Sequence, residues 1–417
     1  MSHVHIVGGG LAGLSCAVAL AAKGVRVTVL EAAGQAGGRC RSYHDPQLDM
    51  VLDNGNHFIL SGNGAAFGYL RAIGSADRMA GPEHADLDFI DFRDGARWTI
   101  RPNDGPLPWW LLSRGRRVAG TKLGDYLALA PLVAARDARR IEETIRCEGP
   151  LWDRLIQPFL LGALNTDPRD GSAALAGEVL RQSLARGGLA YRVRIAHPTL
   201  AAAFVDPALA HLAARKCDVR FNAPVKSLIF ENDRVGALEM QDGRITLDPD
   251  DVVVLAVPPW IAPTLVPGLV APDVFNPIVN AHFKIAPPAG ASPMLGVIGG
   301  TAEWIFAFPD RMSVTVSGAD RLVEKDRDSL ARAFWGDIAR VYDLDPTPPP
   351  CRIVKERRAT FAATPEQNAK RPAAATRWPN LILAGDWTDT KLPATIEGSV
   401  RSGNTAAGLA LQRQRAS

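Results

Sequence analysis

The chain has 417 residues, 47% of them hydrophobic and 22% charged, which leaves room for more than one domain and excludes disorder over most of its length. Its 47 basic and 44 acidic residues give a formal charge of +3, too small a surplus to suggest a nucleic-acid partner. Five cysteines, an odd number with none closely spaced, argue against a metal site and a disulfide framework and fit a reducing cytosol, so a cytoplasmic location without a metal is expected.

A strand pattern begins at Val4, which leaves no room ahead of it for a cleaved targeting peptide. His3 to Val7 reads as a short apolar strand. Gly8-Gly9-Gly10-Leu11-Ala12-Gly13 follows, then a helical pattern through Leu14, Ala17, Val18 and Ala21 that Gly24 stops. Val25 to Leu30 is a second strand and ends at Glu31-Ala32. This is a βαβ unit with G-x-G-x-x-G at its first turn. Gly8 makes the tight turn, Gly10 lets the backbone approach a pyrophosphate, and Gly13 lets helix and strand pack closely. Phosphates then sit at the helix N-terminus, where free N–H groups favour anions. Glu31 stands where a carboxylate accepts hydrogen bonds from a ribose diol. The residues therefore predict a dinucleotide site. Gly37-Gly38-Arg39 adds backbone N–H groups and a guanidinium beside the phosphates.

Residues 63–199 read as mostly helical, broken at Gly81-Pro82, Gly105-Pro106 and Gly149-Pro150. No apolar run reaches the roughly 18–20 residues that span a bilayer. Within this stretch, Pro106-Leu107-Pro108-Trp109-Trp110-Leu111-Leu112 is followed by Arg114, Arg116, Arg117 and Lys122. Aromatic and basic residues side by side suit a membrane interface. They suit a buried helix start with a solvated basic face equally well. The first alternative would place the protein on the inner face of the cytoplasmic membrane, with Trp109 and Trp110 in contact.

Further on, Ala223-Pro224-Val225 opens a strand to Phe230, and Val252 to Val257 is a buried run. Met294–Ile298, Trp304–Phe308 and Met312–Ser317 read as a meander with a Pro-Asp turn between the last two strands. Near the end, Leu381 to Ala384 is a buried strand running into Gly385-Asp386. Leu392 to Ser399 then leads into an apolar helix. Asp386 can bind a ribityl hydroxyl. A helix starting near Thr395 and Ile396 can point its positive end at the pyrimidine edge of a flavin. A nicotinamide site would not need this distal half, so the cofactor expected is FAD.

On these residues the chain resembles the amine oxidase and phytoene desaturase superfamily. Val7 to Arg39 looks like its FAD fingerprint, and Gly385-Asp386 looks like the C-terminal counterpart. The resemblance implies an α/β fold. In it a Rossmann-type FAD-binding domain (1–62, 200–258 and 355–417) is interleaved with an α+β substrate domain (63–199 and 259–354). It implies that Gly8, Gly10, Leu11, Ala12, Gly13, Glu31, Ala32, Gly38 and Arg39 hold the ADP half. Val225 would touch the adenine through its backbone, and Asp386, Thr395 and Ile396, with Gly385, would hold the flavin half. Asp53-Asn54-Gly55-Asn56-His57-Phe58 falls where the family chain passes the flavin. There Gly55 and Asn56 approach the ring, and His57 either donates a proton or orients the loop. Lys284 is the candidate for the lysine that amine oxidases place by the flavin N5. Asp389 and Glu397, flanking the flavin segment, are candidate general acids, although each also reads as an ordinary carboxylate near a helix start.

Two segments narrow the resemblance. Leu161-Gly162-Ala163-Leu164-Asn165-Thr166 and the run from Ala384 to Gly398 look like the squalene-associated FAD enzymes of hopanoid biosynthesis, the hydroxysqualene dehydroxylases. Lys391 departs from the pattern, standing where a small glycine-like residue is expected. The resemblance implies reductive removal of an allylic hydroxyl from a long isoprenoid, with an unidentified electron donor as partner. Three alternatives stay open. One is a carotenoid or phytoene-type desaturase. Another is an amine oxidase, which should show an aromatic cage, whereas only Trp387 lies in the Asp386 segment. The third is a prenyl-lipid-binding module on the same fold, which need not retain flavin.

Overall fold

The computed structural model describes residues 3–416. Its first layer is a five-stranded parallel sheet in the order Asp218–Arg220, Arg26–Leu30, His3–Val7, Val252–Leu255, Leu381–Leu383. Strands brought from four separate parts of the chain thus lie side by side. The helix Leu11–Ala21 is buried on nearly every face, leaving only Ala19 partly open. It lies between this sheet and the C-terminal helix Ile396–Ala416. The two helices cross at Gly403, where an added Cβ would stand 2.1 Å from Ser15 Oγ and 2.3 Å from the Ala12 carbonyl oxygen. Chain end and chain start are fixed together by that close crossing.

The second layer is a seven-stranded sheet. Its order is Cys351–Phe361, Phe275–Phe283, Arg311–Val316, Trp304–Phe308, Met294–Ile298, Leu87–Asp91, Arg97–Ile100. The three meander strands expected from sequence form its centre. The strand Cys351–Phe361 pairs along the whole of Phe275–Phe283, so the boundary expected at residue 355 falls inside a strand of this sheet. The helix Gly64–Ala72 packs on the C-terminal helix, so residues after 62 still belong to the dinucleotide layer.

The stretch 63–199 is less helical than its sequence suggests. Leu87–Asp91 and Arg97–Ile100 form a hairpin, with Leu87 and Phe89 turned into the core and Gly95 at φ +75°. The alternation Leu-Asp-Phe and the Asp-Gly turn carried that signal. A third sheet joins Phe58–Leu60, Val193–Ala196 and Met79–Ala80.

One face of the seven-stranded sheet is covered by the helix Arg327–Tyr342 through Phe334, Trp335 and Ile338. Beside this sheet, burial pushes the Glu303 carboxyl from an ordinary 4.5 up to about 7, against the Ser317 N–H that it accepts at 2.8 Å and Arg321 at 3.8 Å. The folded state therefore holds a proton that the unfolded chain releases near pH 4.5. The stabilisation is complete below pH 4.5 and is lost as pH rises through 7, a decline of roughly 3 kcal/mol. Denaturant titrations at pH 5 and pH 8 should record that decline, and Glu303→Gln should flatten it.

Candidate cofactor and substrate site

The glycine-rich turn has the geometry its sequence calls for. Gly8 sits at φ +109°, and a Cβ on it would stand 2.5 Å from the Ala256 carbonyl oxygen. A Cβ on Gly13 would stand 1.9 Å from the Gly8 oxygen, so helix and turn are in contact there. At Gly10 a Cβ would meet nothing within 4 Å. That open space lies at the start of the helix, where Leu11, Ala12 and Gly13 bring N–H groups without intrahelical acceptors. The Gly37 N–H donates to the Gly9 oxygen at 2.8 Å, which folds Gly38 back against Gly10. The result is a cradle lined by backbone N–H groups that a side chain at residue 10 would fill, and it fits a pyrophosphate.

Glu31 also braces this turn, a role that sequence did not suggest. Its two oxygens accept the N–H groups of Gly9 at 2.6 Å and Ala33 at 2.8 Å. The Glu31 carbonyl accepts the Ala223 N–H at 2.9 Å, which brings the opening of the Val225–Glu231 strand beside it.

The other chain end completes the site. Arg39 Nη2 donates to both Asp386 oxygens at 2.7 Å, and its Nη1 donates to the Ala359 carbonyl at 2.7 Å. One guanidinium therefore ties the glycine-rich turn, the flavin segment and the seven-stranded sheet. Beside it lies a narrow cleft lined by Arg39, Asp386, Trp387, Trp260 and Phe275 among others. Gly385 donates its N–H to Ser402 Oγ at 2.7 Å, and Trp387 Nε1 donates to the Val257 carbonyl at 2.9 Å. Thr395 caps the C-terminal helix, accepting the Gly398 N–H at 3.0 Å on its hydroxyl, with Ile396 in the first turn. Lys391 takes φ +65°, the left-handed region that favours glycine, which accounts for the small residue expected there. Its side chain turns outward to Asp389 and stays out of the site.

Arg371 is a residue of this loop's framework that sequence missed. It is buried, and its Nη2 donates to the carbonyls of Asp386 at 3.0 Å and Thr388 at 2.5 Å and to Thr390 Oγ1 at 2.8 Å. No local pattern marked it, because its partners are backbone groups of a loop that is not regular structure.

The four candidate proton carriers fare differently. His57 lies on the loop before the strand Phe58–Leu60, and burial together with the Arg39 charge holds it down at about 4. It is therefore neutral near pH 7, suited to orienting by hydrogen bonds rather than to holding a proton in reserve. Lys284 is corrected: it is exposed just past the end of its strand, and its Nζ donates to the Leu48 carbonyl at 2.5 Å. The residue of that strand at the Gly55 loop is Asn280, some 13 Å back along the strand at the usual rise. Glu397 is corrected as well. Its carboxylate accepts the N–H groups of Ala65 at 3.2 Å and Ala66 at 2.8 Å, together with Arg401 Nε at 2.8 Å, and so caps the helix Gly64–Ala72. Asp389 is exposed and paired with Lys391.

The opposite face of the seven-stranded sheet is divided in two. Cross-strand partners share a face. Asn280 pairs with Thr315 and His282 with Ser313, while Trp304, Phe306 and Phe308 pair with Thr315, Ser313 and Arg311 from the other side. Met294 lies opposite Phe306, and Gly296 lies between Trp304 and Phe89. One half is thus polar, on two adjoining strands, and the other is aromatic. The polar half meets the Gly55–Asn56 loop: the Asn56 N–H reaches Asn280 Oδ1 at 3.4 Å and its Nδ2 reaches Thr315 Oγ1 at 3.0 Å. Over the aromatic half lies the Leu161–Thr166 segment. There Gly162 makes room for Trp304, and Asn165 takes φ +50° and donates to the Asn276 carbonyl and to Thr360.

The Trp109–Trp110 pair splits. Trp110 is corrected as a membrane contact: it is buried, edge-on to Tyr126 at 5.7 Å, in the same apolar cluster as Phe89, Trp304 and Phe306. Trp109 is 64% exposed, and Leu107, Leu112, Leu123 and Leu127 are exposed within the same short stretch of chain. Among the described residues no helix is long and apolar enough to cross a membrane, and no group of His, Cys, Asp and Glu is placed to hold a metal.

Residues 11–411 match the family model of flavin containing amine oxidoreductases. The chain is 54% identical to a hydroxysqualene dehydroxylase of Rhodopseudomonas palustris, over 99% of each chain. It is 49% identical to one of Sinorhizobium fredii, over 98% of each. Among solved structures, cyclohexylamine oxidase from Brevibacterium oxydans shares the fold, with a TM-score of 0.71 at 19% identity over 99% of each chain.

Proposed function

The chain belongs to the family of flavin containing amine oxidoreductases, and on that premise we infer that it is an FAD-dependent oxidoreductase that removes the hydroxyl of hydroxysqualene by reduction to give squalene. The observation that carries this reading is similarity to the dehydroxylases over the whole chain, so that it spans the cofactor cradle and the two-part sheet alike. In the net reaction a C–O bond breaks, the oxygen leaves with a proton as water, and a C–H bond forms. When bound in its reduced form, FAD would supply the hydride, and an unidentified donor would restore the two electrons.

The residues of this chain bind, orient and exclude water. Gly8, Gly10, Leu11, Ala12, Gly13, Gly38 and Arg39 would hold the ADP half, with Glu31 and Ala32 at the ribose and Val225 at the adenine. Gly385, Asp386, Thr395 and Ile396 would hold the flavin half, with Gly55 and Asn56 along the ring. The aromatic half of the sheet gives a hydrocarbon a dry surface. Asp389 is the proton carrier to be tested, and neutral His57 would orient neighbouring groups by hydrogen bonds.

An anaerobic reaction tests this. Photoreduced holoprotein given hydroxysqualene in detergent should be reoxidised with formation of one squalene per flavin. Bleaching of the oxidised protein by phytoene or squalene, without reoxidation by hydroxysqualene, would point to a desaturase instead.

A substrate this apolar resides in a bilayer, and the exposed Leu107, Trp109, Leu112, Leu123 and Leu127 beside Arg114 and Lys122 suit an interfacial contact. Trp110 continues that patch into the apolar cluster below. Combined Trp109→Ser, Leu112→Ser and Leu127→Ser should weaken binding to anionic liposomes roughly 100-fold, with FAD retained. Unchanged sedimentation with liposomes would remove the membrane contact.

A further inference from the structure

We propose that Asn56, Asn280 and Thr315 form the recognition site for the single hydroxyl of the substrate, at the seam between the polar and aromatic halves of the sheet. The proposal deepens the function argued above and rests on it.

The hydrogen-bond directions are fixed by counting protons. Thr315 Oγ1 lies 2.7 Å from Asn280 Oδ1, a pure acceptor, and therefore gives that oxygen its only proton. Thr315 Oγ1 must then accept at its other contact, so the group 3.0 Å away on Asn56 is the amide nitrogen. That nitrogen also faces the Val314 carbonyl at 3.5 Å. Asn56 Oδ1 is consequently left on the far side of the amide, enclosed and without a donor. Asn280 is 2% exposed. Its oxygen is engaged by Thr315 and by the Asn56 N–H, while its Nδ2 is directed to Gly55, where an added Cβ would stand 3.0 Å from it. The strip thus offers one buried acceptor without a partner, Asn56 Oδ1, at the end of a single connected chain.

A hydroxyl carries the one proton that this acceptor lacks. A buried acceptor without a partner costs about 1–3 kcal/mol, which a ligand hydroxyl would relieve. The surroundings favour the substrate over the flavin as its source. Asn56 would lie along the ring, but the pyrimidine edge, which carries most of the hydrogen-bonding groups of a flavin, is assigned to the helix that Thr395 caps. Thr315, in contrast, stands directly opposite Trp304 in register, so the polar point borders the aromatic surface. One polar point at the margin of an apolar floor is what a hydrocarbon carrying one hydroxyl requires. Gly55 belongs to the same argument, because any side chain there would run into the Asn280 amide and displace it.

The test compares two ligands that differ in the hydroxyl. Equilibrium dialysis of labelled hydroxysqualene and labelled squalene in detergent against oxidised holoprotein gives their affinity ratio. The wild type should prefer hydroxysqualene. Thr315→Val, which keeps the shape and removes the hydroxyl that orients both amides, should lower that preference ~10- to 100-fold, while squalene affinity and flavin content stay unchanged. Asn280→Leu should do the same, and Thr315→Ser should retain the preference. A Thr315→Val protein with the wild-type ratio overturns the proposal while leaving the function intact, provided the wild type still turns over hydroxysqualene. Loss of FAD at an unchanged ratio overturns it in favour of the flavin as the partner. A wild type that neither prefers nor reduces hydroxysqualene sinks the proposal and the functional reading together.

Discussion

Replacing Gly10 by valine should give a protein that folds normally and purifies without flavin, whereas Gly13→Ala should give little folded protein. The two glycines stand three residues apart in one motif, yet their surroundings differ. A Cβ at Gly13 would lie 1.9 Å from the Gly8 oxygen and 3.3 Å from Ile6 Cγ2, with backbone on one side and a core strand on the other. Neither can yield without separating helix from sheet, and the expected loss exceeds about 4 kcal/mol. At Gly10 the backbone is extended, φ −73° and ψ 178°, which any residue adopts. The side chain would enter only the open space reserved for the pyrophosphate. Circular dichroism and the melting temperature of the apoprotein should therefore match the wild type for Gly10→Val, while FAD affinity drops by at least ~100-fold. A Gly10→Val protein that remains yellow at wild-type affinity would place the pyrophosphate elsewhere.

The same contrast explains what could be read from sequence. Gly8, Gly10 and Gly13 were legible because their constraint is local: a turn, a helix start and a close approach within six residues. Asp386 was legible as a polar residue after a buried strand, but its pairing with Arg39 was not, since 347 positions separate them and only the folded sheet order joins them. Lys284 was misplaced for a related reason. Its strand was expected near the flavin, but the part of a strand that meets a distant loop depends on register, and register is set by Thr315 and Val354 on neighbouring strands. Glu397 looked available because sequence does not reveal that the helix Gly64–Ala72 starts against it. Trp109 and Trp110 read as one unit, although adjacent residues on a short turn of helix face different ways. The hairpin at Leu87–Ile100 was missed despite its alternation, because its neighbours on both sides read as helix.

Arg371 carries the last and most demanding expectation. Burial brings its guanidinium down to about 10, opposed by the charges of Asp389 and Asp386, so it stays charged near neutral pH. Its partners are mostly neutral: two carbonyls and a hydroxyl of the flavin segment, and Asn368 Oδ1 at 3.1 Å. Phe361 lies 5.0 Å beneath the guanidinium. A buried charge solvated by loop carbonyls fixes the path of that loop, and Asp386 is aimed by it at Arg39. Arg371→Met preserves volume but strips the carbonyls of Asp386 and Thr388 of their donor in a dry place, an expected loss of about 3–5 kcal/mol. For a chain of this length that is a fall in melting temperature of roughly 3–6 °C. Arg371→Lys can reach only part of the fan and should fall between the two. With FAD held on the ordered loop as proposed, excess FAD should recover part of the loss by mass action. A melting temperature and flavin content equal to wild type in Arg371→Met would mean that the loop is held by Ser402, Trp387 and the Arg39 pair without it.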